Sequence, residues 1–251
     1  MAAERSARAD HRARPAARGP PHDHLASHRD RAHRPGCPGL LAAMIVAIES
    51  ASSDPSLALA EPDGAPIAVE GWSGDSRQGS ELVPRLLAML AACRRDLREA
   101  SAVAIGIGPG SFTGLRVGMG LAKGIALARG IPIVGVPSLP AWLAAEPDAV
   151  AALARAGAQE AFLQRRGDAE PVIVAREELP GVLPPGLAVA PRELATSFFL
   201  ASTRPPHRAA MAIAAAAAER LARDPAGDDL ALLEPAYLRA PRGVAEVSRW
   251  R

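Results

Sequence analysis

The chain has 251 residues, 49% of them hydrophobic, and a formal net charge of +2. That length holds one large domain or two small ones, and no apolar run reaches bilayer-spanning length, which excludes a helical membrane protein. The charge is uneven: residues 1–43 carry eight arginines against four acids, so the remainder is net −2 and lacks the basic excess that advertises nucleic-acid binding.

Residues 1–43 mix Arg, Ala, Pro and His without a 3.6 or 2.0 period and read as a disordered extension. They hold His11, His22, His24, His28 and His33, whose spacing matches no metal-ligand pattern. No apolar core follows the charged start, as a secretory signal requires. The preferred reading is a true start at Met44, where the first strand opens. Two cysteines, Cys37 and Cys93, and no Cys-x-x-Cys point to a reducing cytoplasm without a disulfide framework.

From Met44 the pattern predicts three short strands at 44–50, 56–60 and 65–70, parted by Ser52-Ser53-Asp54-Pro55 and Glu61-Pro62-Asp63-Gly64. Connections this short predict an antiparallel meander. A helix follows over 80–93, capped by Ser80, with Leu82, Val83, Leu86, Leu87, Leu90 and Cys93 on a broad apolar face. Next come a buried strand at 102–107, the turn Gly108-Pro109-Gly110-Ser111, a helix over 113–129, a strand at 131–136 and a helix over 137–145. A second meander is read at 149–153, 160–165 and 171–175. A proline-rich stretch covers 180–191, and an alanine-rich helix covers 208–223.

Strand, glycine turn, helix is the arrangement that aims backbone N–H groups at a phosphate. Gly108, Gly110 and Ser111 form a phosphate-like turn of this kind. The competing reading is a tight turn that lets strand and helix pack closely. A P-loop is excluded because no lysine follows the turn, and a dinucleotide fingerprint fails because Thr113 stands where its third glycine belongs. The helix then spaces Gly114, Gly118 and Ala122 on one face and Gly120 and Gly124 on another. Glycine inside a helix costs about 1 kcal/mol against alanine, so close approach on more than one face is expected.

The run Gly108-Pro109-Gly110-Ser111-Phe112-Thr113-Gly114-Leu115-Arg116-Val117-Gly118, then Ala122-Lys123-Gly124 and residues 131–139, closely resembles the TsaB (YeaZ) family. Residues 44–52 look like its opening strand and turn, and Pro235-Ala236-Tyr237-Leu238-Arg239 like its C-terminal Pro-x-Tyr-Leu-Arg. The resemblance implies an α/β, actin-like ATPase (ribonuclease-H-like) fold. One full unit would cover 44–145 and a shorter second unit 146–239, with a tail at 240–251. It implies a non-catalytic subunit that pairs with its paralogue TsaD and, with the ATPase TsaE, serves a threonylcarbamoyl transferase complex. That complex moves threonylcarbamoyl from threonylcarbamoyl-AMP to N6 of the adenosine beside the tRNA anticodon. ATP and metal then belong to TsaD, no cofactor is expected here, and tRNA is met through the complex. A homodimer is the competing assembly. The competing function is an autonomous nucleotide hydrolase or a glycoprotease-like peptidase.

An actin-like ATPase needs an aspartate at the end of its first strand, followed by a glycine-bearing turn. Here stand Glu49-Ser50-Ala51-Ser52-Ser53. Glu49 and Ser52 therefore mark a degraded nucleotide site and are read as hydrogen-bonding a strand-end turn. The family's second half opens with Asp-Ala-Arg, and Leu153-Ala154-Arg155 lacks the acid. His207 is the one histidine after Met44, so no paired-histidine metal site forms and Ser111 has no evident base. No catalytic residue is assigned. The partner is expected on the non-sheet faces of the helices at 80–93 and 113–129, through Leu82, Leu86, Met89, Gly114, Gly118 and Ala122.

Overall fold

The computed structural model describes residues 43–74 and 78–238. The expected extension up to residue 42, with its five histidines and Cys37, and the tail at 240–251 lie outside the described residues.

Strands β1 (Met44–Glu49), β2 (Ser56–Ala60) and β3 (Pro66–Gly71) form the antiparallel meander. Helix α1 (Gln78–Ala92) leads to β4 (Ala100–Gly106), which pairs parallel with β1. Helix α2 (Phe112–Arg129) returns the chain to β5 (Ile133–Val136), parallel to β4. The sheet order is β3-β2-β1-β4-β5, the ribonuclease-H-like order. β1 is buried along its whole length, as a central strand covered on both faces must be. Met44, Val46 and Ile48 face Leu82, Leu86, Met119 and Ile125 of α1 and α2. Ile45 and Ala47 point the other way, because strand side chains alternate.

Helix α3 (Ser138–Ala145) links to a second sheet built from β6 (Ala149–Arg155), β7 (Glu160–Arg165) and β8 (Val172–Ala175). Then follow α4 (Leu179–Val182), β9 (Leu187–Val189), α5 (Arg192–Ser197), β10 (Thr203–Arg204) and α6 (Ala209–Arg223). β6, β7 and β8 are antiparallel, and β9 joins β6 and β10 in parallel. The order β8-β7-β6-β9-β10 therefore repeats that of the first sheet. Two such units are the actin-like arrangement. The proline-rich stretch at 180–191 takes in most of α4 and all of β9.

α6 does not cover its own sheet. Its Ala210, Ile213, Ala214 and Ala217 pack against Ala47, Ala58, Ala102 and Ala104 of the first. Small side chains on both partners let helix and sheet approach closely, which gives the alanine-rich helix its place. Between the two sheets, Trp142 of α3 is wholly buried among Leu115, Leu139, Ala152, Phe162 and Val189.

Candidate functional site

The turn after β1 and the turn after β4 lie against each other. The Ser111 N–H donates to the Ala51 carbonyl at 2.6 Å, and the Ser50 hydroxyl donates to the Gly114 carbonyl at 2.9 Å. A Cβ at Gly110 would stand 2.1 Å from the Ala51 oxygen, and one at Gly118 2.1 Å from Ser50 Oγ. Gly108 has φ +94°, which its missing Cβ permits. Its N–H donates to Ser138 Oγ at 3.0 Å, and Ser111 Oγ caps α2 by accepting from the Gly114 N–H at 3.2 Å. The N–H groups of Gly108, Ser111 and Gly114 are thus spent on protein acceptors. The phosphate-like turn of Gly108, Gly110 and Ser111 thus packs against residues 50–51, while Gly110, Ser111, Phe112 and Thr113 also line a recess of about 410 Å³ with Ala51 and Ser52.

Glu49 ends β1 with its side chain fully buried. Oε1 accepts from the Ala51 N–H at 2.6 Å, Oε2 accepts from Trp142 Nε1 at 3.1 Å, and the Ser138 hydroxyl also bonds the carboxyl. Burial pushes its pKa above the ordinary carboxylate value, against the pull of these donors. Ser52 Oγ accepts from the Asp54 N–H at 3.2 Å and so closes the same turn. Both carboxylate oxygens of Glu49 are engaged and away from solvent, a poor arrangement for a metal ligand or a general base. Among the described residues no group of three or more His, Cys, Asp or Glu is placed to hold a metal.

Sequence reasoning missed a second buried carboxylate. Asp54 accepts from the Arg192 N–H at 2.7 Å, from the Ser73 hydroxyl, and lies 3.3 Å from His207 Nε2. Ser73 Oγ is itself 3.3 Å from the same Nε2. A serine–histidine–aspartate relay needs its carboxylate on the other imidazole nitrogen, so this cluster ties β3, α5 and α6 together without that chemistry. These groups come from residues up to 153 positions apart. The nearest signal in the sequence was a lone histidine between a proline and an arginine. Ser53, Asp54, Ser73, Ser111 and Thr113 line a polar cleft of about 740 Å³ that reaches Arg192. In the adjoining 410 Å³ recess, Arg155 is held by Glu193 Oε1 at 3.2 Å and Ser197 Oγ at 3.0 Å. Leu153, where an acid was sought, is buried in the second sheet's core.

The helix faces also need correction. Leu82, Leu86 and Met89 are buried against the first sheet, and Gly114, Gly118 and Ala122 are the residues that let α2 lie on it. None is open to a partner. The outward faces carry Val83, Pro84 and Leu87 on α1 and Thr113, Arg116, Gly120, Gly124 and Leu127 on α2. Leu87 is 55% exposed and Leu127 73%, while a Cβ at Gly120 or Gly124 would meet nothing within 4 Å. A spacing of four says that small residues share a face, and not which face. Gly118→Leu is therefore expected to unfold the chain, with helical circular dichroism lost at 25 °C, since the added side chain meets Ser50 and Ile105. A stably folded variant would contradict the packing.

A family description of TsaD, tRNA N6-adenosine threonylcarbamoyltransferase, matches residues 76–178. An uncharacterized protein of Mycobacterium tuberculosis is 37% identical over 98 residues, covering 39% of this chain and 46% of that protein. The tRNA threonylcarbamoyladenosine biosynthesis protein TsaB of Escherichia coli is 41% identical over 58 residues, 23% of this chain and 25% of that one. The chain spans less than half the length of these relatives. The crystal structure of a Pseudomonas aeruginosa protein with similarity to peptidase YEAZ covers 78% of this chain and 100% of its own, with a TM-score of 0.61. At 20% sequence identity that likeness shows the fold.

Proposed function

We propose, for a chain that belongs to the TsaB (YeaZ) family, that it is a non-catalytic subunit in tRNA threonylcarbamoyladenosine biosynthesis, docked on the paralogue TsaD. The observation that carries this reading is an exposed apolar stripe on α1 and α2. Val83, Leu87, Gly120, Gly124 and Leu127 face outward from two adjacent helices, and the turn before α2 spends the N–H groups of Gly108, Ser111 and Gly114 on protein acceptors. Helices bearing glycine on the outside can be approached to backbone distance by a partner's helices, which compensates the cost of glycine there. ATP and metal then act on TsaD, TsaE completes the complex, and tRNA is met through the assembly. With this goes a division at residue 146 into a larger docking unit and a smaller second unit.

The competing reading, an autonomous hydrolase or peptidase, gains no support from a buried, fully bonded Glu49 or from the donor groups among the described residues. Among the described residues no helix is long and apolar enough to cross a membrane. A cytoplasmic location follows from the proposed reaction. The test is complementation of TsaB-depleted cells, read as threonylcarbamoyladenosine in tRNA by nucleoside mass spectrometry, with co-purification of TsaD. Restored modification with a stable complex is the expected result. Full modification by a chain that binds no TsaD, or purification as a homodimer that TsaD cannot open, would overturn it.

A further inference from the structure

The chain after α6 reaches the first turn of α2 in a way the docking reading does not use. After α6 the chain runs along β5: the Asp228 N–H donates to the Ile133 carbonyl at 2.8 Å, and the Ala236 N–H donates to Ile107 at 2.7 Å. This lays the Tyr237 ring 5.3 Å from that of Phe112. The Arg116 guanidinium sits 3.8 Å over the Phe112 ring, and its Nε donates to the Tyr237 hydroxyl at 3.3 Å. One aromatic face and one hydroxyl fix a side chain that would otherwise be mobile. Its two terminal nitrogens meet no acceptor among the described residues.

Arg116 lies on the outward stripe of α2, one turn before Gly120. The stripe's charge is one-sided. α2 has no acidic residue, and the only acid of α1, Glu81, accepts from Trp72 Nε1 at 2.9 Å. Arg85 of α1 is likewise turned aside, onto Glu70 and the Trp72 ring. The outward faces of α1 and α2 therefore offer apolar area and basic groups, Arg116 and Lys123, with no carboxylate on either helix to satisfy them.

We propose that Arg116, held in place by Phe112 and Tyr237, is the charge anchor of the docking surface and takes a carboxylate of the partner protein in a bidentate pair. The proposal rests on the docking reading above. A pre-ordered guanidinium loses little freedom on binding and matches a carboxylate's two oxygens. Complementary charge at the rim sets on-rate and partner choice as well as affinity. Phosphate of RNA is the less suited ligand, because the chain beyond residue 43 is net −2 and gives no basic field around this one site. Tyr237 is a positioning residue: it acts through Arg116.

The experiment is calorimetric titration of purified TsaD into the full chain at 50 and 300 mM salt, with circular dichroism on every variant. Arg116→Glu should weaken binding roughly 100-fold by setting like charges together, and Arg116→Ala roughly tenfold. Arg116→Lys should fall between wild type and alanine, since it keeps charge and loses the fork. Tyr237→Phe should cost about two- to tenfold, the worth of one hydrogen bond. Arg116→Ala should also lose most of the salt dependence of wild type. Leu87→Asp reports on the docking surface independently. If it abolishes binding while Arg116→Glu binds like wild type, the anchor is wrong and the surface stands. If Leu87→Asp itself binds like wild type, the surface is wrong and the anchor falls with it. Intact TsaD binding by Arg116→Glu with weakened tRNA binding by the complex would overturn the carboxylate in favour of phosphate.

Discussion

Glu49→Ala is expected to destabilise the chain by about 3–5 kcal/mol, a large share of the roughly 5–15 kcal/mol that holds a typical domain folded. The alanine leaves the Ala51 N–H, Trp142 Nε1 and Ser138 hydroxyl without their carboxylate acceptor in a buried site. Each buried donor left unpaired costs about 1–3 kcal/mol, and the cavity adds to this. The loss spreads, because Ser138 also receives the Gly108 N–H and Trp142 joins the two sheets. Urea denaturation should show the lower midpoint with an unchanged slope, and binding of TsaD per folded molecule should survive at low temperature. A variant of wild-type stability whose complex loses several orders of magnitude in activity would instead make Glu49 a catalytic group.

The same carboxylate gives a pH signature. Burial raises its folded-state pKa above the ordinary value of 4.5, so across that window the folded chain holds a proton that the unfolded chain has released. Stability therefore falls as pH rises from 4.5 through the folded-state pKa, and no further above it. Glu49→Gln keeps the acceptor for the Ala51 N–H and cannot ionise. It should flatten this part of the stability profile and cost less than alanine.

What the sequence disclosed was local. The strand, turn and helix around residues 100–129 are continuous in the chain, so their periodicity and glycines announce them, and α1 to α3 fall within a few residues of expectation. β9 and β10 have three and two residues. They exist because β6 and each other supply hydrogen-bond partners, which no short window contains. Glu49 was visible as an altered aspartate, but its partners Ser138 and Trp142 were visible only as residues of a helix. Asp54, Ser73 and His207 meet through tertiary structure alone. The proposed docking face lies on the opposite sides of α1 and α2 from Leu82, Leu86, Met89, Gly114, Gly118 and Ala122, which are buried. Gly118 is small because Ser50 and Ile105 press on it, whereas a Cβ at Gly120 or Gly124 meets nothing among the described residues.

That contrast gives the most discriminating result expected of the docking surface. Gly120→Leu should make the isolated chain more stable by about 0.5–1 kcal/mol, since leucine favours a helix over glycine and the position is open. The same substitution should weaken TsaD binding by roughly tenfold or more, because overpacking a close helix contact costs about 1–3 kcal/mol. Leu87→Asp should act more strongly and by a different route. The side chain is 55% exposed, so the free chain tolerates the charge, but a carboxylate without a partner inside an apolar contact costs several kcal/mol. Thermal unfolding and titration with TsaD on the same preparations read both quantities. Opposite signs in stability and affinity for Gly120→Leu cannot arise from damage to the fold. If Gly120→Leu gains stability and binds TsaD as wild type does, the glycines of the outer face are not there for this partner, and α1 and α2 must be replaced as the docking surface.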